Sequence, residues 1–74
     1  MLPITMATPG AIVTVKKITG KDEVRQHLGE LGFVPDEEVS VVADNGGNLI
    51  VAIKSGRVAL DKSMANRIFV EEDR

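Results

Sequence analysis

The amino-acid sequence predicts a mainly β protein, a small antiparallel barrel of five to six strands with one short helix after the first long strand. Short runs rich in valine and isoleucine alternate with Gly, Asn and Pro turns, which is typical of short antiparallel strands. Leucines at helical spacing occur in a single segment. Every residue of the run 49–53 is apolar, so both faces of a strand formed by it would be apolar. This is expected in a barrel whose strands are partly covered on both faces.

The first long strand is expected over residues 11–18, after a turn at Pro9-Gly10. This run is rich in β-branched residues, and Val13 and Val15 fall on the same face. The chain is 74 residues long and has no cysteine, so we expect a single domain over 1–74 without disulfides. A core of this size leaves a net stability of only about 3–5 kcal/mol.

A short helix is expected next, because Val24, Leu28 and Leu31 recur at i, i+4 and i+7. Asp22 precedes this stripe and is predicted to cap the helix N-terminus with its carboxylate. Gly32 follows the last leucine and suits the left-handed residue that ends many helices.

The helix is then expected to turn sharply into a strand. Phe33 or Val34 can fold back on the last helical turn as the hydrophobic contact of such a cap. Pro35 prevents the helix from resuming. The strand itself is predicted over residues 37–44. Val39, Val41 and Ala43 are expected on one face, and Ser40, Val42 and Asp44 on the other.

The rest of the chain is predicted to form hairpins. Asn-Gly within "DNGGN" at 44–48 is a strong hairpin signal and joins 37–44 to a partner strand at 49–54. A second tight turn at "KSGR" leads into a strand at 58–60. The segment 61–66 is long enough for one helical turn. "RIFV" closes the domain as a short strand with Ile68 and Val70 inward, and "EEDR" is predicted to be a solvated tail.

Composition excludes several classes of function. The formal charge is −2 and the only aromatic residues are Phe33 and Phe69, whereas nucleic-acid binders usually carry a basic surface and aromatic side chains for base stacking. The N-terminus does not have the pattern of a signal peptide. Apolar runs are too short to cross a membrane. We therefore expect a cytoplasmic protein that binds no nucleic acid and does not insert into the membrane.

No catalytic residue, cofactor site or metal site is predicted. His27 is the only histidine, and no positioned partner accompanies it, so we expect it at or near the surface. The acidic runs 36–38 and 71–73 are the remaining sources of metal ligands, but adjacent carboxylates in a strand point to opposite sides. They are predicted to be solvated charges, and a cation site shared between copies stays open.

These exclusions leave a module that works by contact with another protein. Met6 and Met64 lie outside the strand pattern, and methionine is common at adaptable contact surfaces. Each could instead plug an end of the barrel. Met6, Phe33 and Met64 are the candidates for partner contact, and we expect a monomer or a weak oligomer.

The order of these elements resembles the FeoA family of ferrous iron transport accessory proteins over essentially the whole chain. The resemblance is carried by a Pro-Gly turn before the first strand, "HLGELGFVP" at the helix end, and an Ala-Leu pair before the helical turn. The matching residues are Pro9, Gly10, Leu28, Leu31, Gly32, Pro35, Ala59, Leu60, Ala65, Ile68 and Val70. Asp36 stands where the family usually has glycine, so a turn that tolerates Asp, such as type I, is expected.

The resemblance implies an SH3-like barrel, and a bacterial cytoplasmic protein that contacts FeoB, the membrane permease whose soluble N-terminal portion is a GTPase. It does not imply an iron site on this chain, because the sequence has no cysteine and only one histidine to act as metal ligands. Regulation of GTP hydrolysis, assembly of the transporter and support of the open channel are all compatible with it. The same barrel also resembles the C-terminal domain of diphtheria-toxin-repressor-type regulators. The alternative to an accessory protein of iron uptake is therefore a metal-responsive interaction module related to that domain.

Overall fold

The computed structural model describes residues 1–72, and their secondary structure is mainly β. All the strand pairings are antiparallel, and the strands lie in the order β1-β6-β2-β3-β4-β5. This confirms the predicted class. The elements are β1 Leu2–Pro3, a 3-10 turn Ile4–Met6, β2 Ile12–Ile18, α1 Asp22–Leu31, β3 Glu38–Asp44, β4 Asn48–Ile53, β5 Gly56–Asp61, α2 Lys62–Ala65 and β6 Ile68–Glu72.

The core is formed by the inward residues of the strands, closed by α1 and α2. Val13 and Val15 of β2 and Ile68 and Val70 of β6 are fully buried, as their alternation predicts. No polar side chain is buried within residues 1–72. The buried set is Ile4, Ala7, Val13, Val15, Leu28, Phe33, Val39, Val41, Leu49, Val51, Leu60, Ala65, Ile68 and Val70.

The first and last strands differ from the sequence-based prediction. β1 was not predicted: it has only two residues, too few to show alternation, and pairs Leu2 with Val70. Glu71 and Glu72 continue β6 instead of forming a tail, because they pair with Thr14 and Val13 of β2. The prediction for 73–74 lies outside the described residues.

Ala43 does not share the buried face of Val39 and Val41, so the prediction that the three lie on one face is wrong. The register of β3 against β4 shifts between Val41 and Ala43, and Ala43 then pairs with Ile50. Such a bulge sets two residues of one strand, here Val42 and Ala43, against one of the other and ends the strict alternation. Both of these residues are exposed.

The helix N-terminus also differs from the prediction. Lys21 occupies the capping position in an extended conformation, and Asp22 is the first helical residue. No side chain caps this terminus. The Asp22 carboxylate instead accepts a hydrogen bond from the Arg25 guanidinium one turn later. Asp22 and Glu23 still place negative charge in the first turn, where the helix dipole favours it.

The corner between α1 and β3 is confirmed in detail. Gly32 ends α1 in the left-handed conformation, with φ +119° and ψ 4°. Its N–H donates to the Gly29 carbonyl at 3.0 Å, and the Phe33 N–H donates to the Leu28 carbonyl at 3.0 Å. These two bonds are the pair that defines a Schellman cap. Leu28 and Phe33 are both fully buried, so the helix end is anchored in the core.

In the turn that follows the helix cap, the left-handed conformation is adopted by a residue that is not glycine. Asp36 has φ +72°, and the Glu37 N–H donates to the Val34 carbonyl at 3.1 Å. With Pro35 in the second position, this is a type II turn, so the predicted type I turn is wrong. Contacts with β2 hold the turn on both sides, because the Asp36 N–H donates to the Val15 carbonyl at 2.7 Å and the Val15 N–H to the Glu37 carbonyl at 2.9 Å.

Gly32→Val is expected to destabilise the protein by about 1–3 kcal/mol in urea unfolding, because φ is positive and the added Cβ is strained. That Cβ would also lie 3.2 Å from Cδ1 of Ile53. The control is Gly29→Ala, which has open space around it and should gain about 0.5–1 kcal/mol as a helical residue. A Gly32→Val protein as stable as the parent would contradict this account of the corner.

Asp36→Gly is expected to stabilise the protein by about 0.5–1 kcal/mol, since an L-residue is disfavoured in the left-handed region. Asp36→Ala is the matched control: it also removes the carboxylate but keeps the Cβ, and it should not be stabilising. Thermal and urea unfolding of both variants measure the difference. Equal stabilities for the Gly and Ala variants would show that this backbone conformation is not strained.

Candidate interaction surface

The outer side of the sheet carries a band of apolar and small side chains opposite the core. Along one line across the sheet, Ile12 of β2 faces Ser40 of β3, Ser40 faces Ala52 of β4, and Ala52 faces Arg57 of β5. Along the next line, Val42 and Ala43 of the β3 bulge face Ile50 of β4, and Ile50 faces Ala59 of β5. We call this set the outer band: Ile12, Ser40, Val42, Ala43, Ile50, Ala52 and Ala59.

An open groove of about 300 Å³ lies at one end of the outer band. It exists because Ser40 and Ala52, the middle residues of the first line, have small side chains. Ile12 forms one wall and is 54% exposed. The lining consists of Ile12, Glu38, Val39, Ser40, Ala52, Ile53 and Lys54.

The groove has an apolar floor and a charged rim. Glu38 and Lys54 both line it, and the Lys54 ammonium lies 3.4 Å from Oε1 of Glu37. This ion pair is exposed, so it contributes little to stability. The arrangement suits an apolar side chain of a partner, with rim charges that favour one orientation over another.

The three predicted contact residues do not form one surface. Phe33 is fully buried under the helix cap, so its assignment as a contact residue is wrong for this fold. Met6 is 71% exposed and remains available to a partner, and it does not plug the barrel. Met64 is half-buried and packs against the core from α2, as expected of a plug.

The family-motif residues have mostly structural positions. Leu28, Leu60 and Ala65 are buried and Leu31 is half-buried. Gly10 has φ +89°, and its N–H donates to the Val41 carbonyl at 2.7 Å, which joins the turn before β2 to β3. Ala59 is exposed on β5.

The acidic runs lie beside lysine side chains rather than around a cavity. Lys16 Nζ is 3.7 Å from Oδ1 of Asp36 and 3.9 Å from Oε1 of Glu71, so β2 places one lysine between the two runs. Within the described part of the chain, no three His, Cys, Asp or Glu side chains are grouped so as to hold a metal ion. His27 is exposed on α1, as expected.

Asp61 is a structural residue that the sequence analysis missed. Its carboxylate caps α2 by accepting from the Met64 N–H at 2.8 Å and from the Ser63 hydroxyl at 2.9 Å. These hydrogen bonds, the Met64 N–H first, lower the pKa of Asp61 below its ordinary value of 3.8. The pattern Asp-Lys-Ser-Met is a signal that could have revealed this cap.

A second contact holds α2 in place. Lys62 Nζ lies 2.9 Å from Oδ2 of Asp44 at the end of β3. The hydrogen bond from Lys62 and that from the Gly46 N–H lower the pKa of the Asp44 carboxyl. The ion pair joins the first residue of α2 to the end of β3.

No helix formed by residues 1–72 is long and apolar enough to span a membrane.

Comparison with known proteins gives a consistent family assignment. A family model described as the FeoA domain matches residues 2–72. A protein of Methanocaldococcus jannaschii, whose name assigns it to Fe(2+) transport as protein A, is 29% identical over 72 residues, covering 97% of this chain and 88% of that protein.

Solved structures agree with the fold. The zinc complex of Stenotrophomonas maltophilia FeoA, described as a procaryotic SH3 domain protein, is 29% identical with a TM-score of 0.86, covering all of this chain and 98% of that one. This confirms the SH3-like fold. A manganese-dependent transcriptional repressor in complex with manganese is 28% identical with a TM-score of 0.81, over 92% of this chain but only 34% of the repressor.

Asp61→Asn is expected to change stability in acid but little at neutral pH. Because the folded-state pKa of Asp61 is lowered, its stabilising contribution is full above the ordinary value of 3.8 and is lost as the pH falls through the folded-state pKa. Asparagine keeps the capping oxygen but does not titrate, so the fall in Tm below about pH 4 should be shallower. Asp61→Ala should lower Tm at every pH. Identical acid slopes for the parent and the Asn variant would contradict this role.

Proposed function

The chain belongs to the FeoA family, whose members are accessory proteins of ferrous iron transport, and on that premise we propose that it acts without catalysis by contacting the soluble GTPase region of a FeoB-type permease. The observation that carries the proposal is the match of the family model to residues 2–72. We also propose that the chain acts in the cytoplasm, where the GTPase region of such a permease lies.

We infer that the groove of the outer band is the contact surface. Ile12 stands clear of the sheet beside the small side chains of Ser40 and Ala52. A volume of about 300 Å³ has room for one or two apolar side chains of the partner. Burial of a branched side chain against Ile12 contributes roughly 1.5–3 kcal/mol, so the contact should be a modest one that can form and dissociate during transport.

A backbone amide NMR titration with the soluble GTPase region tests this proposal in nucleotide-free, GDP and GTP-analogue states. Localised shifts over the outer band are expected, and a dependence on nucleotide would indicate regulation of hydrolysis. No shifts in any state would contradict the proposed partner, while the family assignment would stand.

Ile12→Asp should weaken binding to the GTPase region by about tenfold or more, because a charge would enter the apolar contact. Met6→Asp is the matched control, since it puts the same charge on another exposed apolar residue away from the groove. Its affinity should equal that of the parent. If Met6→Asp abolishes binding and Ile12→Asp does not, the contact lies at the Met6 end of the barrel.

A metal-responsive interaction module is the second candidate function. The likeness to the manganese-bound repressor, 28% identical over 92% of this chain, favours it. Sedimentation equilibrium with and without Fe(II), Mn(II) or Zn(II) separates the two candidates. A mass that is the same in chelator and in metal would eliminate the second.

A further inference from the structure

The strand β5 is an open edge of the sheet. Among the described residues it pairs with β4 and with no other strand. An open edge presents unpaired N–H and C=O groups that another strand can bind. Within residues 1–72 the opposite edge, β1, has only two residues, so β5 with six is the longer free edge.

The register shows which groups of β5 point away from the sheet. The turn at Lys54-Ser55 is closed by Ile53 and Gly56, which face each other. A closing pair next to a two-residue turn is hydrogen-bonded, and bonded and non-bonded pairs alternate along an antiparallel ladder. The N–H groups of Arg57, Ala59 and Asp61 therefore point outward, as do the C=O groups of Arg57 and Ala59. The C=O of Asp61 is the exception, because Asp61 is the N-cap of α2 and its C=O accepts the first hydrogen bond of that helix. All three of these residues are exposed.

The charges on this edge are self-complementary. Arg57 and Asp61 lie two residues to either side of Ala59, and their side chains share the outer face with it. In an antiparallel pair with Ala59 opposite Ala59 of a second copy, each Arg57 faces an Asp61. Directly opposed residues of unlike charge stabilise such a pair.

We propose that β5 is a dimerisation edge, which binds β5 of a second copy in antiparallel register centred on Ala59. Four backbone hydrogen bonds would form: two between the Ala59 residues, and one from each Asp61 N–H to the Arg57 C=O of the other copy. Two Arg57–Asp61 pairs flank them. The sheet then continues through the interface, and the apolar line of Ile50 and Ala59 runs from one copy into the next.

The surroundings of β5 leave room for the second strand. Lys62, the first residue of α2, is paired with Asp44 of β3, which lies on the β4 side of β5 and not at its open edge. In the proposed register Gly56 lies opposite Lys62 of the second copy, and the space around Gly56 is open. Both hydrogen bonds to the Asp61 carboxylate fall on Oδ1, so Oδ2 is the oxygen that receives Arg57 of the second copy.

This inference does not depend on the proposed permease contact. The interface is one short strand per copy, smaller than the roughly 800 Å² per partner of a stable complex. The dimer should therefore be weak and concentration-dependent.

Amide hydrogen exchange of the full chain, at low and high protein concentration with chelator present, tests the proposal. The amides of Ala59 and Asp61 should become protected as concentration rises. Those of Val58 and Leu60, which bond to β4, should be protected throughout and serve as the internal reference. Concentration-independent exchange of the Ala59 and Asp61 amides, with a monomer mass at every concentration, would overturn the proposal.

Arg57→Glu should weaken the dimer by about tenfold or more in sedimentation equilibrium, because two attractive pairs become repulsive. Ala59→Lys, which places two like charges at the symmetry axis, should do the same by a separate route. Lys54→Glu is the matched control, since it makes the same change of charge in the adjoining turn. A dimer that survives both β5 variants would use another surface and would also overturn the proposal.

Discussion

The structure depends on the Schellman cap that ends α1. The sequence has no cysteine, so no disulfide stabilises this small barrel. Within residues 1–72, α1 is the one helix of more than one turn that can cover the core. Gly32 reverses the chain so that Leu28 and Phe33 enter the core from the two sides of the helix end. The type II turn at Asp36 then joins the chain to β2. Residues 28–36 thus both cover the core at the helix end and direct the chain into β3.

The elements that could be predicted from sequence are those decided locally. Alternating valines identified the inward faces of β2 and β6, and the leucine stripe with Gly32 identified the helix and its end. The bulge at Val42 could not be predicted, because it depends on how β3 fits β4. Phe33 was assigned to a contact surface because sequence alone does not show which side of the cap is covered. The groove was missed because Ile12, Ser40 and Ala52 meet only through the registers of three strands.

The fold separates stability from recognition by face. The inward side of every strand is used for the core, and the ion pairs of the acidic runs are exposed and add little to it. We propose the outer band and the edge at β5 as the surfaces for contact with other proteins. Ala59 belongs to both, so a second copy at the edge would extend the outer band and could present two grooves on one surface.

The central claim is that the outer band, not the Met6 end, meets the permease. Methyl cross-saturation from the GTPase region to the labelled methyl groups of this chain tests it most directly, because it reports only on contact. The account predicts attenuation of the methyl signals of Ile12, Ile50 and Ala52, with Met6 unaffected. Attenuation at Met6 and Met64 while Ile12 keeps its full intensity would contradict it.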